Sequence, residues 1–443
     1  MALALPPAPE LWRAARADAV AERLAPAAHW YFQHEWLTLD PAQHPSLPIW
    51  LAAPDCLARV QLDPASRRVE VGTGAAEPFT LVPALASNPT FINERTLAFL
   101  AQQPVRVRAS RHNPAWQLRT IWPTTWRLDA QAALLPSWQE LVPIGEAGAQ
   151  QPFQCHTLWR RTERDGDRNT GAGKWAIGFM LNGAQGDDDE AHGGHFALTL
   201  GRYRDDGDVA DWLVANFYNP DVVSEKGILP ALLPMDNYLA DLNSGQQQYR
   251  PSWLVCCVLS DEDIASALYL QLIDTFNRLY DHRLHYQHTD NNCTGLSMDA
   301  LRAIGIAVPM RGPSSRLLAP VLYLTRLLRD RSLIEARKAS RYLLSEQTRL
   351  MPWQAFEACV EHALGLLTGV RQPSTPTEAS FCRQVQAVYG LHFPQLPSAR
   401  AWGREPARSI FDYQSRVPKR RRDWKIIPVP PRELPMALRY GGG

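Results

Sequence analysis

A chain of 443 residues is long enough for two or three domains with a well-buried core. Lys plus Arg number 46 against 45 for Asp plus Glu, so no global field argues for nucleic acid or an anionic membrane as partner. No window of about 18 uninterrupted apolar residues marks a spanning helix.

The first residues, MALALPPAPELWRAARADAVAERL, lack a basic start followed by an apolar core, and Asp18 and Glu22 argue against a transit peptide. The seven cysteines are scattered, odd in number and free of a CxxC pair, as in a reducing compartment. A cytoplasmic protein is the expectation, with signal-independent export left open. Residues 1–148 read as a mixed, β-rich N-terminal domain. A helix is predicted over 9–25, and a hairpin over 58–71, where ARVQL and RRVEV flank the turn-forming DPAS. VRVR at 105–108 and QLRTIW at 117–122 add alternating strands.

Residues 149–312 form the next unit, with strands predicted at 174–181, 195–203, 209–218 and 253–259. A long helix follows, predicted to start at Ser260, where SDED offers an N-cap oxygen and acidic first-turn residues. Ile264, Leu268, Leu272, Phe276 and Leu279 mark its buried stripe. A run of strands followed by helices predicts an α+β fold. Residues 313–400 read as a helical region, with packed helices at 316–330, 332–344, 353–367 and near 378–389. The first of these is apolar and basic enough to touch a membrane surface, although core packing is the reading preferred. Residues 401–443, with KRRR at 419–422, read as an extended Pro-rich basic tail.

One cysteine differs from the rest. In HTDNNCTGLSMDALRAIGI, Cys293 follows a polar run and opens a helix on which Leu296, Ala300, Leu301 and Ile304 recur at helical spacing. A thiol there feels the unpaired amides and the positive end of the helix dipole, which favour thiolate. Cys256 and Cys257 (WLVCCVL), Cys359 and Cys382 lie in apolar patterns and read as structural.

A cysteine nucleophile needs a base, and usually a polar group that orients the base. His195 follows two glycines and opens the strand HFALTLGRY, at the lip of a half-buried sheet. The strand DWLVANFYNP returns beside it and offers Asn216 as the orienting group. Tyr218 and Asn219 are rivals, because a one-residue change of register reverses the face.

Taken together, GGHFALTLG, VANFYNP and NNCTGLSMDALRAIGI resemble the papain-like superfamily that includes NlpC/P60 enzymes, with their Asp-Cys-Ser-Gly and Gly-His motifs. Histidine precedes cysteine here, as in the circularly permuted branch of lecithin:retinol acyltransferase-like proteins. The motifs are also similar to the Lnb N-terminal periplasmic domain family. The resemblance covers about 175–310, and implies a permuted papain-like domain with Cys293 as nucleophile, His195 as base and Asn216 as orienting residue. It implies a cysteine hydrolase of amidase or peptidase type, or a thiol acyltransferase or lipid/thioester hydrolase of the same fold. The backbone N–H of Cys293, with the Asn292 side chain as second donor, would receive the oxyanion.

No cofactor or metal is expected. His282, His285 and His288 are spaced by three, and such steps drift around a helix instead of converging on one ion. His192 and His195 beside the acidic run Asp187 to Glu190 are the other metal candidates. The competing class is a non-catalytic binding protein whose KRRR segment contacts phosphate or an acidic surface. The substrate, an amide or ester, and the oligomeric state are not legible.

Overall fold

The computed structural model describes residues 28–32, 35–39, 55–71, 74–81, 93–112, 114–162, 174–218, 229–240, 250–280, 283–284, 286–289, 291–398 and 401–427. The helix predicted over 9–25 lies outside them. A hairpin of β1 (Ala28–Phe32) and β2 (Glu35–Leu39) comes first. Next, β3 (Asp55–Asp63), β4 (Arg68–Val71), β5 (Glu77–Leu81), β6 (Val105–His112) and β7 (Ala115–Pro123) close a barrel in the order β3-β4-β5-β7-β6. The predicted hairpin is β3–β4, paired from Val60↔Val71 to Asp63↔Arg68. Asp63 forms its turn by accepting the N–H groups of Ala65 and Ser66. Val60, Leu62, Val69, Phe79, Val107 and Leu118 fill the interior. Helix α1 (Glu94–Leu100), opened by an Asn93–Thr96 capping box, adds Leu97 and Leu100.

After the short α2 (Ala147–Gln150), the chain builds a seven-stranded antiparallel sheet. Its strands are β8 (Gln154–Arg160), β9 (Trp175–Asn182), β10 (His195–Arg202), β11 (Leu213–Tyr218), β12 (Leu229–Pro234), β13 (Ser252–Leu259) and β14 (Val385–Phe393). Their spatial order is β12-β11-β10-β9-β13-β14-β8. WAIGFMLN and SWLVCCVL are buried along their whole length, which explains why both are unbroken apolar runs.

Helices cover the sheet unequally. The elements are α3 (Met235–Ala240), α4 (Asp263–Tyr280), α5 (Cys293–Ala303), α6 (Leu318–Asp330), α7 (Leu333–Leu344), α8 (Gln347–Leu350), α9 (Pro352–Leu367), α10 (Pro376–Gln384) and α11 (Ile410–Arg416). On one face, Phe196, Leu198 and Leu200 of β10 share a core with Leu268 of α4, Leu296 of α5 and Phe356 of α9. On the other, Ala197, Met180 and Leu254 pack with Tyr238 and with Trp122 from the end of the barrel. The fold is therefore α+β, as predicted.

Buried charge ties barrel to sheet. Arg106 on β6 reaches Asp208 at 3.0 Å and Asp211 at 2.6 Å, and Arg108 reaches Asp211 and Asp236, each at 2.7 Å. Burial pushes the Asp211 carboxyl up, but the two guanidinium groups outweigh it and hold the group below its usual range.

Four expectations need correction. The helix near 378–389 stops at Gln384, and Val385–Phe393 forms β14 between β13 and β8. Its β-branched and aromatic side chains fill a central strand position, so tertiary pairing overrides the local pattern. The long helix starts at Asp263, whose N–H is taken by Asp261 at 3.2 Å, while the Ser260 N–H is spent on the Gln384 carbonyl. Residues 401–416 are held against the sheet unit instead of forming a tail, while 419–423 are exposed and 428–443 lie outside the described residues: Arg404 bridges to Ala184, and buried Glu405 accepts the Gly145 N–H at 2.6 Å and Arg416 at 2.9 Å. Finally, α6 buries only Ala319, so the core packing preferred for it does not occur.

Candidate active site

Cys293 is the first residue of α5. Asn292 caps the helix in extended conformation, and its side-chain oxygen accepts the Gly295 N–H at 2.8 Å. The approach is a tight reversal in which Gln287 and Asn291 exchange backbone hydrogen bonds, leaving Tyr286 beside the helix start. The Cys293 N–H donates to the Tyr286 hydroxyl at 3.3 Å.

His195 opens β10, directly across from Asn182 of β9. Gly194 makes the approach at φ +70°, and a Cβ there would meet the Asn182 carbonyl at 2.5 Å and the Pro406 ring. The glycine before the histidine thus lets the loop close against both β9 and the packed C-terminal segment. That segment is anchored at the same loop, where the Ala407 N–H donates to the His192 carbonyl at 2.7 Å.

The strand and the helix meet at sulfur. Burial by itself would push the Cys293 thiol up. The His195 imidazole, by charge and by hydrogen bond, the Phe196 N–H and the Thr294 hydroxyl outweigh burial and bring the thiol down to about 6. The Thr294 Oγ1 lies 3.8 Å from the sulfur. Other thiols move the opposite way: burial pushes Cys155 up to about 11 and Cys257 up to about 12, and raises Cys256, Cys359 and Cys382 as well. Cys293 is only 7% exposed. Its activation therefore comes from its neighbours and not from solvent.

Two expected roles do not match the geometry. Asn292 was expected as an oxyanion donor, but its amide N–H groups go to the carbonyls of His288 at 2.9 Å and Leu350 at 3.2 Å. The side chain is consumed in holding the helix start. Asn216 was expected to orient His195, yet among the described residues nothing hydrogen-bonds the buried His195 Nε2. The pairing of β10 with β11 runs only through Thr199↔Val214 and Leu200↔Leu213, so the ladder does not carry Asn216 alongside His195. Of the two rivals, the Tyr218 side chain and all of Asn219 lie outside what the structure describes.

The structure supplies neighbours that the sequence reading missed. The Tyr238 ring lies 6.3 Å from the His195 ring, tilted by 40°. Its hydroxyl donates to the Asn182 side-chain oxygen, and the Asn182 amide donates to Ser252 at 2.8 Å. This polar row supports the strand ends beneath His195. Tyr286 is the other addition. Burial, followed by the nearby Cys293, raises its hydroxyl well above the usual value, so it stays protonated and able to donate. Its only trace in the sequence is an aromatic residue in HYQHTDNNC, seven positions before the cysteine.

Among the described residues no group of three or more His, Cys, Asp or Glu is placed to hold a metal ion. His282 and His285 lie outside those residues, and His192 pairs with Asp189 at 3.1 Å. The KRRR segment is exposed and lies over the acidic loop, with Arg421 at 3.5 Å from Glu190. No helix among the described residues is long and apolar enough to cross a membrane. Comparison with protein-family models, with curated proteins and with solved structures finds no match.

Proposed function

We propose that this chain is a cysteine-dependent hydrolase of amidase or peptidase type, with a permuted papain-like arrangement of histidine strand before cysteine helix. The observation that carries the reading is Cys293 at a helix start beside His195, which brings its thiol down to about 6 while burial raises those of Cys155, Cys256, Cys257, Cys359 and Cys382.

The chemistry follows from the positions. The Cys293 sulfur attacks a carbonyl carbon, forming a C–S bond as the carbonyl electron pair moves to oxygen. The resulting oxyanion is received at the helix start, where the protonated Tyr286 hydroxyl donates to it and the Cys293 N–H, which donates to that hydroxyl at rest, turns to it as charge develops. When the C–N bond breaks, His195 delivers its proton to the departing amine, leaving an acyl-enzyme. His195 then takes a proton from water, whose oxygen attacks the acyl carbon, and the C–S bond breaks. A thiol or alcohol acceptor in place of water gives acyl transfer by the same steps.

The test is a burst experiment with p-nitrophenyl acetate, followed by intact mass. One equivalent of nitrophenolate released quickly, with an acetyl group on Cys293 that is absent in Cys293→Ala and slowed in His195→Ala, is the expected result. Acetylation spread over lysines, with no burst, would remove the nucleophile assignment.

A further inference from the structure

The hairpin of α6 and α7 has an outer surface unlike the rest of the molecule. On α6 and its first flanking residue, Leu317, Val321, Leu324 and Leu328 are 86%, 56%, 57% and 80% exposed. Steps of four, three and four residues place all of them on one side of the helix, a continuous apolar stripe facing away from the core. Leu333 and Ile334 continue it at the start of α7, where they are 56% and 67% exposed. Such a stripe costs solubility unless something covers it.

Charge indicates what covers it. Residues 316–344 contain seven Arg or Lys against Asp330 and Glu335, five net positive charges in a chain whose total is +1. The near-neutral balance of the whole sequence conceals this local excess. Arg329, paired with Asp330 at 2.7 Å, keeps its side chain 61% exposed, and Lys338 on α7, 3.6 Å from Glu335, is 63% exposed, so the five unmatched positive charges are carried by a hairpin whose cations face water. A second copy packed face to face would set these cations against their own kind, because an isologous contact repeats each patch on both sides. A surface of anionic lipid headgroups satisfies both features, with leucines in the acyl boundary and cations at the phosphates.

We propose that the α6–α7 hairpin docks this protein on an anionic membrane surface. The hairpin is inserted between α5 and α8, and the last residue of α8, Leu350, gives the carbonyl that holds Asn292. The proposal does not rest on the chemistry assigned to Cys293.

The experiment is flotation of the full chain with vesicles of phosphatidylcholine alone, and of phosphatidylcholine mixed with phosphatidylglycerol. Binding to the mixed vesicles only, weakened by salt, is the expected result. Each basic residue at such a surface is worth about a factor of five in partitioning, so Arg337→Ala with Lys338→Ala lowers it about 25-fold. Leu324→Glu with Leu328→Glu abolishes binding; both positions are exposed, and an unchanged near-ultraviolet circular dichroism spectrum checks the fold. Cys293→Ala floats like the wild type. Failure to float with the mixed vesicles overturns the proposal. A dimer in sedimentation velocity that Leu324→Glu with Leu328→Glu dissolves, without vesicle binding, also overturns it and assigns the face to a second copy.

Discussion

The hydroxyl of Tyr286 accepts the backbone N–H of Cys293 at 3.3 Å, at the point where α5 begins. A phenol held there by a four-step reversal of the chain places a second donor next to the one N–H that any cysteine at a helix start offers. Tyr286→Phe keeps the ring and its packing but removes that donor. Loss of one oxyanion donor costs about 100- to 1,000-fold in kcat, and a fall of that order with near-normal iodoacetamide alkylation of Cys293 is expected. If alkylation falls as far as turnover, Tyr286 acts on the thiolate and not on the oxyanion.

Alkylation by limiting iodoacetamide, followed by intact mass, should show a midpoint near pH 6 for Cys293. The sign follows from His195: its charge and hydrogen bond favour thiolate, so His195→Ala leaves burial unopposed and moves the midpoint upward. The folded value lies below that of an unfolded thiol. The stability it contributes is thus fully present above the unfolded value, and is lost as pH falls through about 6. An unshifted midpoint in His195→Ala would separate the two residues functionally.

Asn292 is expected to be structural. Asn292→Ala removes the cap on Gly295 and both carbonyl contacts, and should lower stability by about 1–2 kcal/mol in a denaturant titration. Asn292→Asp keeps the cap acceptor but loses the two donors and sets a negative charge beside Cys293. Its alkylation midpoint should rise above the wild-type value. A variant that is fully stable yet turns over hundreds of times more slowly, about the loss of an oxyanion donor, would restore the oxyanion role.

Arg108 anchors the barrel to the sheet through Asp211 and Asp236. Arg108→Ala leaves the buried Asp236 carboxylate without its guanidinium, while Asp211 keeps Arg106, and should cost about 3–5 kcal/mol. Replacing Arg108 and Asp236 together with apolar residues of similar volume should recover most of that loss, because these two buried charges leave as a pair and Asp211 keeps Arg106. Chemical denaturation of the two variants distinguishes a broken network from a simple loss of packing.

Local signals were legible in the sequence where the pattern and the environment agree. The alternation of HFALTLGRY, the unbroken WAIGFML and WLVCCVL and the stripe from Ile264 to Leu279 predicted β10, β9, β13 and α4 closely. The helix start at Cys293 was also legible, because a polar run gives way there to Leu296, Ala300, Leu301 and Ile304 at helical spacing. Asn292 shows the limit of such reading. Its type was noticed, but only the positions of the His288 and Leu350 carbonyls decide where its amide points.

What the sequence by itself determined is the α+β class, most strand positions and the one cysteine set apart by a polar approach. Tertiary structure decided everything that depends on partners far apart in the chain. Val385–Phe393 became a strand because β8 and β13 flank it, and residues 401–416 became ordered because Glu405 meets Gly145 and Ala407 meets His192. The depressed Cys293 thiol needs β10 packed against the start of α5. The outward stripe of α6 has the same apolar periodicity as a core helix, so the sequence could not tell which side is wet. Periodicity encodes that a face is apolar; only the packing of the other elements determines whether that face is covered.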